Sequence, residues 1–200
     1  GEYTTFNQDN TSFFDLPHAA VSSASIPFVF PPHVWSRGTF MDGGTVWNVN
    51  IDSAVQQCME LVDDQSKIIV DVVVCGSPPS PDSRWTPGGD AVENFLFSRN
   101  IHHFYSSSDN LAEERMGYPN VNFRYLFIQK EYNLSGKAEL QFDNATTWPL
   151  QENGRQVAQE TLAAGEGTIF KLLDEYHKDA KIKKEYGHFI NYLNAKQPSK

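Results

Sequence analysis

The sequence predicts an α/β domain with a mainly parallel central sheet flanked by helices, on three observations. Lys67 to Cys75 (KIIVDVVVC) is almost continuously apolar, the mark of a strand covered on both faces. Val121 to Gln129 (VNFRYLFIQ) is a second β-rich run in which alternation is partly preserved. Stretches of helical character lie before, between and after these two runs, and such alternation is what a layered α/β domain writes into its sequence.

A chain of 200 residues fits one compact domain, and 40% apolar with 13% aromatic residues is enough to build a core. A net charge of -9 speaks against a general nucleic-acid binder, which needs a cationic face. No apolar run reaches the roughly 18 residues of a membrane-spanning helix. The polar opening GEYTTFNQDN has neither a starting Met nor a signal-peptide core. The two cysteines, Cys58 and Cys75, match no common zinc or redox spacing and read as buried free thiols. Sequons for N-glycosylation stand at Asn10, Asn133 and Asn144, and three in one chain of this length favour a secretory or lumenal route, with the compartment otherwise unknown.

Element by element, residues 1–14 read as an extended entry segment. Asp15 before Leu16-Pro17 reads as an N-cap with proline in the first helical turn, followed by the small-residue helix HAAVSSAS. That helix stops near Ile26, because the residue before a proline is pushed out of the helical region. PFVFPP is stiffened by three prolines and reads as a buried apolar loop. Thr39 to Met41 reads as a short strand running into the glycine turn Asp42-Gly43-Gly44. A helix from Ile51 to Val62 has Asn50 or Asp52 as its cap. Gly76-Ser77-Pro78-Pro79 ends the strong strand, and residues 80–90 form a loop. A helical stretch runs from Ala91 to Arg115. Residues 130–150 read as irregular, and two helices close the chain, Arg155–Lys178, interrupted at Gly165 and Gly167, and Ala180–Leu193.

The stretch that carries chemistry is Ala19 to Gly44, AAVSSASIPFVFPPHVWSRGTFMDGG. A small-residue helix, a proline-rich F-P-P loop and a strand ending in Asp42-Gly43-Gly44 together resemble the second signature of the patatin-like phospholipases. The opening GEYTTFN is similar to a strand that precedes this signature in the family. The resemblance covers residues 1–76 well and residues 77–200 only in general pattern. It implies a patatin-like three-layer fold, and that residues 1–200 are the C-terminal part of a single such domain whose N-terminal strands lie outside them. It implies a lipid acyl hydrolase with a serine–aspartate dyad, in which Asp42 is the base and Gly43 and Gly44 shape the supporting turn. It implies no cofactor and no metal.

From the residues alone, a carboxylate at the C-terminal end of a strand faces the crevice where α/β folds bind ligands, and two glycines let the backbone turn tightly after it. The structural alternative is that Asp42 only caps a turn, as Asp-Gly pairs commonly do. The nucleophile's motif, G-x-S-x-G, is absent, since no two glycines stand four positions apart. The glycine-rich oxyanion segment is absent too. Ser22, Ser23 and Ser25 belong to the helix that the family uses for packing. The expected partners are therefore an N-terminal segment or chain bearing the serine, and a lipid or other acyl-ester substrate. This chain alone is expected to be inactive. The alternative function is a non-catalytic patatin-fold binding or structural subunit.

Weaker signals have bland readings. His102-His103 are neighbours that point in different directions on a helix and read as surface or packing residues. His33 lies near Asp42 in sequence and could line the site, but it reads more simply as a solvated loop residue. Lys178, Lys181, Lys183 and Lys184 read as a solvated basic face, with peripheral contact to anionic lipid as the functional alternative. Phe28, Phe30, Trp35 and Trp47 fit core packing as well as an acyl channel.

Overall fold

The computed structural model describes residues 1–74, 90–129 and 141–183. The chain is a mixed α/β protein and divides into two compact units, Gly1–Asn50 and Ile51–Lys200. The strand end and loop read at 75–89, the sequon at Asn133, Cys75 and Lys184 lie outside the described residues.

In the first unit, Asn7 folds the entry segment into a turn by accepting the N–H groups of Asp9 and Asn10. Helix α1 spans Leu16–Ser23 with proline in its first turn. Asp15 does not cap it with its side chain; its backbone is already helical, and its carbonyl accepts the Ala19 N–H at 2.9 Å. The helix ends before Ile26-Pro27 as expected. The PFVFPP loop is not buried: Phe28 is 65% exposed and Phe30 48%. Phe28 also takes a positive φ of 73°, a region that costs a side-chain-bearing residue roughly 1–2 kcal/mol.

Strand β1, His33–Trp35, pairs antiparallel with β2, Gly38–Phe40, with Trp35 opposite Gly38 and His33 opposite Phe40. Gly38, at φ +140°, closes this hairpin in a conformation that disfavours a side chain. Phe6, Trp35 and Phe40 form an aromatic cluster with centroids 5.5–5.9 Å apart, and the Arg37 guanidinium sits 5.0 Å from the Phe6 ring.

In the second unit, helix α2 covers Ile51–Met59 and stops short of Val62. Leu61, 85% exposed, has no packing to hold a further turn. Strand β3, Ile69–Val74, pairs parallel with β4, Asn122–Ile128, and helix α3, Ala91–Gly117, lies between them in sequence. Helix α4, Asn144–Ala164, and α5, Thr168–Lys183, both pack on β4. The break between α4 and α5 falls at Gly165 and Gly167, both at positive φ. The start of α4 corrects the irregular reading of residues 141–150. Asp143 caps it by accepting the Thr146 N–H at 2.8 Å, and Pro149 is carried inside the helix. The closing helix expected from Ala180 is instead the end of α5 as far as Lys183, and its remainder lies outside the described residues.

The core of this unit is Val55, Ile68, Val72, Leu111, Phe123, Leu126, Ile128, Val157, Phe170 and Leu173, drawn from every helix and strand. Phe123 and Phe170 meet edge to face at 5.6 Å. Arg115 lies 4.6 Å over the Phe170 ring and pairs with Asp174. Among the described residues, β3 is covered on one face only. Val72 is buried, but Ile69 and Val73 are 54% and 66% exposed.

Two polar devices hold these elements, and each gives a prediction. A register irregularity after Val70 leaves Arg124 as an extra residue on β4. Asp71 fills the gap, accepting Arg124 Nε and Nη2 at 3.0 and 2.6 Å and the Tyr125 N–H at 3.2 Å. The Arg124 hydrogen bonds, with its charge and the Tyr125 N–H, hold the Asp71 carboxyl below the usual carboxylate range. A depressed folded-state pKa contributes stability above the unfolded value, near 4, and that contribution is lost as pH falls through the folded value. Asp71→Asn is therefore expected to flatten the acid limb of thermal stability below about pH 4. A pair this open to solvent gives a modest change. Melting curves from pH 2 to pH 7 read it, and an acid limb identical to wild type would contradict the role.

The second device is Glu114 on α3, whose Oε2 accepts the Asp52 N–H at 3.0 Å and caps α2 from another helix. Burial pushes the Glu114 carboxyl up, partly offset by the N–H groups of Asp52 and Ile51. Tyr118 donates to Asp52 beside it and accepts from Gln56. Glu114→Ala is expected to lower stability by about 1 kcal/mol, the usual worth of a cap. Urea unfolding measures it, and no shift in midpoint would contradict the cap.

Candidate active site

Asp42 stands two residues beyond β2, where the chain leaves the hairpin. Its N–H donates to the Ser25 carbonyl at 3.0 Å, tying the turn to the residues just after α1. Its Oδ1 accepts the Gly44 N–H at 2.7 Å, and the short 3-10 turn Gly43–Thr45 follows. Its carbonyl accepts both the N–H and the hydroxyl of Thr45, at 3.1 and 2.9 Å. Asp42 therefore does cap a turn. Oδ2 accepts no hydrogen bond from the described residues, and the carboxylate is half-buried.

This arrangement fixes the carboxylate while leaving one oxygen available. A backbone N–H on Oδ1 sets the plane of the group. Gly43 sits against the Tyr3 ring, where an added Cβ would be 3.7 Å from its Cε2. The strand leading to Asp42 is a hairpin strand, antiparallel to β1, and not a strand of the β3–β4 parallel pair.

The matching segment takes in the whole first unit and the start of α2 in the second. Residues 1–55 match the family model of the patatin-like phospholipases. The match ends short of residue 76, and it contains Asp42, Gly43 and Gly44. No curated protein and no solved structure matches the chain.

Within the patatin-like segment, Ser25 is buried and its hydroxyl donates to the Val21 carbonyl at 2.7 Å. Ser22 is buried with no partner for its hydroxyl among the described residues, and Ser23 is exposed. Asn10 is exposed, but its amide is engaged: Nδ2 donates to the Thr5 carbonyl and Oδ1 accepts from Thr11. Asn144 is the exposed first residue of α4. His102 and His103 lie on α3. Cys58 is a half-buried free thiol.

One group escaped the sequence reading. His33 is a strand residue rather than a solvated loop residue, and its Nε2 lies 3.0 Å from Nδ1 of His18 on α1. The two histidines are 15 positions apart with three prolines between them, so no periodicity joins them. No helix among the described residues is long and apolar enough to cross a membrane.

Proposed function

We propose that this chain supplies the catalytic aspartate of a lipid acyl hydrolase working through a serine–aspartate dyad. The observation that carries the reading is Asp42 itself. It lies inside the patatin-like match, with one carboxylate oxygen held by the Gly44 N–H and the other open. In this reading the serine comes from an N-terminal segment or a separate chain, because G-x-S-x-G is absent from these residues. Its hydroxyl proton passes to Asp42 Oδ2 as the oxygen attacks the ester carbonyl. Collapse of the tetrahedral intermediate returns that proton from Asp42 to the departing oxygen, releasing the alcohol or lyso-lipid and leaving an acyl-serine. The regenerated Asp42 carboxylate then takes a proton from the attacking water and passes it to the serine oxygen as the fatty acid leaves. Gly43 and Gly44 keep side chains away from that oxygen.

Both units are parts of one patatin-like three-layer domain, in which β3 and β4 belong to a larger parallel sheet. The parallel pairing of β3 with β4 supports this, as does the exposed apolar face at Ile69 and Val73, because parallel sheets normally have both faces covered. Peripheral contact with a lipid surface belongs to the same proposal. The missing nucleophile motif favours a second reading, a patatin-fold binding or structural subunit without catalysis.

The experiment is to purify the protein with whatever chain or segment accompanies it, then treat it with a fluorophosphonate probe and assay a fatty-acyl ester. Labelling of one serine together with ester hydrolysis supports the dyad. A folded assembly with no reactive serine and no hydrolysis supports the binding subunit.

A further inference from the structure

Asp42 is tied to α1 on one side and to the hairpin on the other. Its N–H donates to the Ser25 carbonyl at 3.0 Å, and the Ser25 hydroxyl donates in turn to the Val21 carbonyl on α1 at 2.7 Å. On its other side Asp42 follows Phe40 by two residues, and Phe40 stands opposite His33 in the β1–β2 register. One hydrogen bond between a helix and a hairpin leaves them free to pivot about it. A second contact further along removes that rotation. Nδ1 of His18 on α1 faces Nε2 of His33 on β1 at 3.0 Å, and in the neutral pair one of these nitrogens donates to the other. The Trp35 ring, two residues along β1 and so on the same face as His33, stacks on His18 at 5.0 Å and 9°.

These contacts close a ring that runs from α1 through the His18–His33 bond to β1 and β2, on to Asp42, and back through Ser25 to α1. We propose that His18 and His33 are positioning residues for Asp42, their hydrogen bond clasping α1 to the hairpin so that the carboxylate keeps one direction. Neither imidazole bonds the carboxylate, whose Oδ1 is held by the Gly44 N–H; the pair acts through the frame around it. What the clasp means for catalysis rests on the serine–aspartate dyad proposed above, while the clasp itself does not. A base that drifts in direction loses rate steeply, so opening the clasp lowers kcat and leaves KM largely alone.

Amide hydrogen exchange of the isotope-labelled full chain, read residue by residue by NMR, tests this without any turnover. His33→Ala is expected to speed exchange of the Asp42 and Gly44 N–H groups by about 3–10-fold, the effect of one lost hydrogen bond. His33→Gln, whose side-chain amide can still bond His18, should keep both rates close to wild type. His102→Ala on α3 should change neither. Circular dichroism confirms that each variant is folded. In an assembly that hydrolyses esters, His33→Ala should lose about tenfold in kcat with KM unchanged, and His33→Gln should recover it. Wild-type exchange at Asp42 and Gly44 in folded His33→Ala overturns the clasp. A rise spread evenly over the first unit also overturns it, being plain destabilisation, and so does a glutamine variant as loose as the alanine one. The expected exchange pattern in a protein whose complete assembly hydrolyses no ester keeps the clasp and removes the dyad alone.

Discussion

If Asp42 is the general base proposed above, Asp42→Asn is expected to lower acyl-ester turnover by about 10²–10⁴-fold, the range that a positioned general base supplies. Asparagine is the informative substitution because its side-chain oxygen can still accept the Gly44 N–H, at 2.7 Å in the wild type. The turn therefore survives, and only the proton acceptor is lost. Alanine removes both, adding to the kinetic loss a structural cost of about 1 kcal/mol for the missing cap. Steady-state kinetics on a soluble fatty-acyl ester, run beside a melting curve, separate the two effects. The decisive number is kcat, with KM little changed, because a base acts in the transition state more than in binding. A folded Asp42→Asn enzyme within threefold of wild type would remove Asp42 from the chemistry.

The largest expected loss of stability lies in the second unit. Phe170 is 1% exposed, meets Phe123 edge to face and carries the Arg115 guanidinium over its ring. Phe170→Ala opens a cavity and is expected to cost about 3–5 kcal/mol. Arg115 also loses a ring contact, while its Nε is already buried without a partner among the described residues. Since domains are stable by only about 5–15 kcal/mol, this substitution alone can remove most of the margin. Phe142→Ala is the control. That ring is 83% exposed, and its loss should change stability by less than about 0.5 kcal/mol. Guanidinium unfolding of both variants reads the difference, and equal effects would mean that the core lies elsewhere.

Much of this was legible in the residues. The β3 and β4 runs are apolar and β-branched enough to announce themselves, and Ile26-Pro27 fixes the end of α1. Asp-Gly-Gly specifies the turn at Asp42 through the chemistry of its own side chain. The failures have physical causes. The first half of α4, before Arg155, was hidden because Pro149 sits inside it; the readable signal was Asp143 three residues before Thr146, a capping spacing. Strand β1 was masked by the prolines before it, and it forms because the Gly38 turn folds β2 back onto it. The apolarity of KIIVDVVVC suggested cover on both faces, but apolarity reports what a strand can bury, not what lies against it. The His18–His33 pair depends on that same hairpin turning back toward α1, a tertiary event with no local trace.

The β3–β4 pairing also sets a clock. Asp71 and its partner Tyr125 are 54 positions apart in the chain. At a synthesis rate of about 5–20 residues per second, β3 waits roughly 3–10 seconds on the ribosome before its neighbouring strand has been made. During that interval a run of isoleucine and valine has no ladder partner in β4, and an unpaired strand edge is a template for other chains. The newborn protein thus passes through a window in which a holding chaperone, or slow synthesis at low temperature, decides how much of it reaches the native pairing.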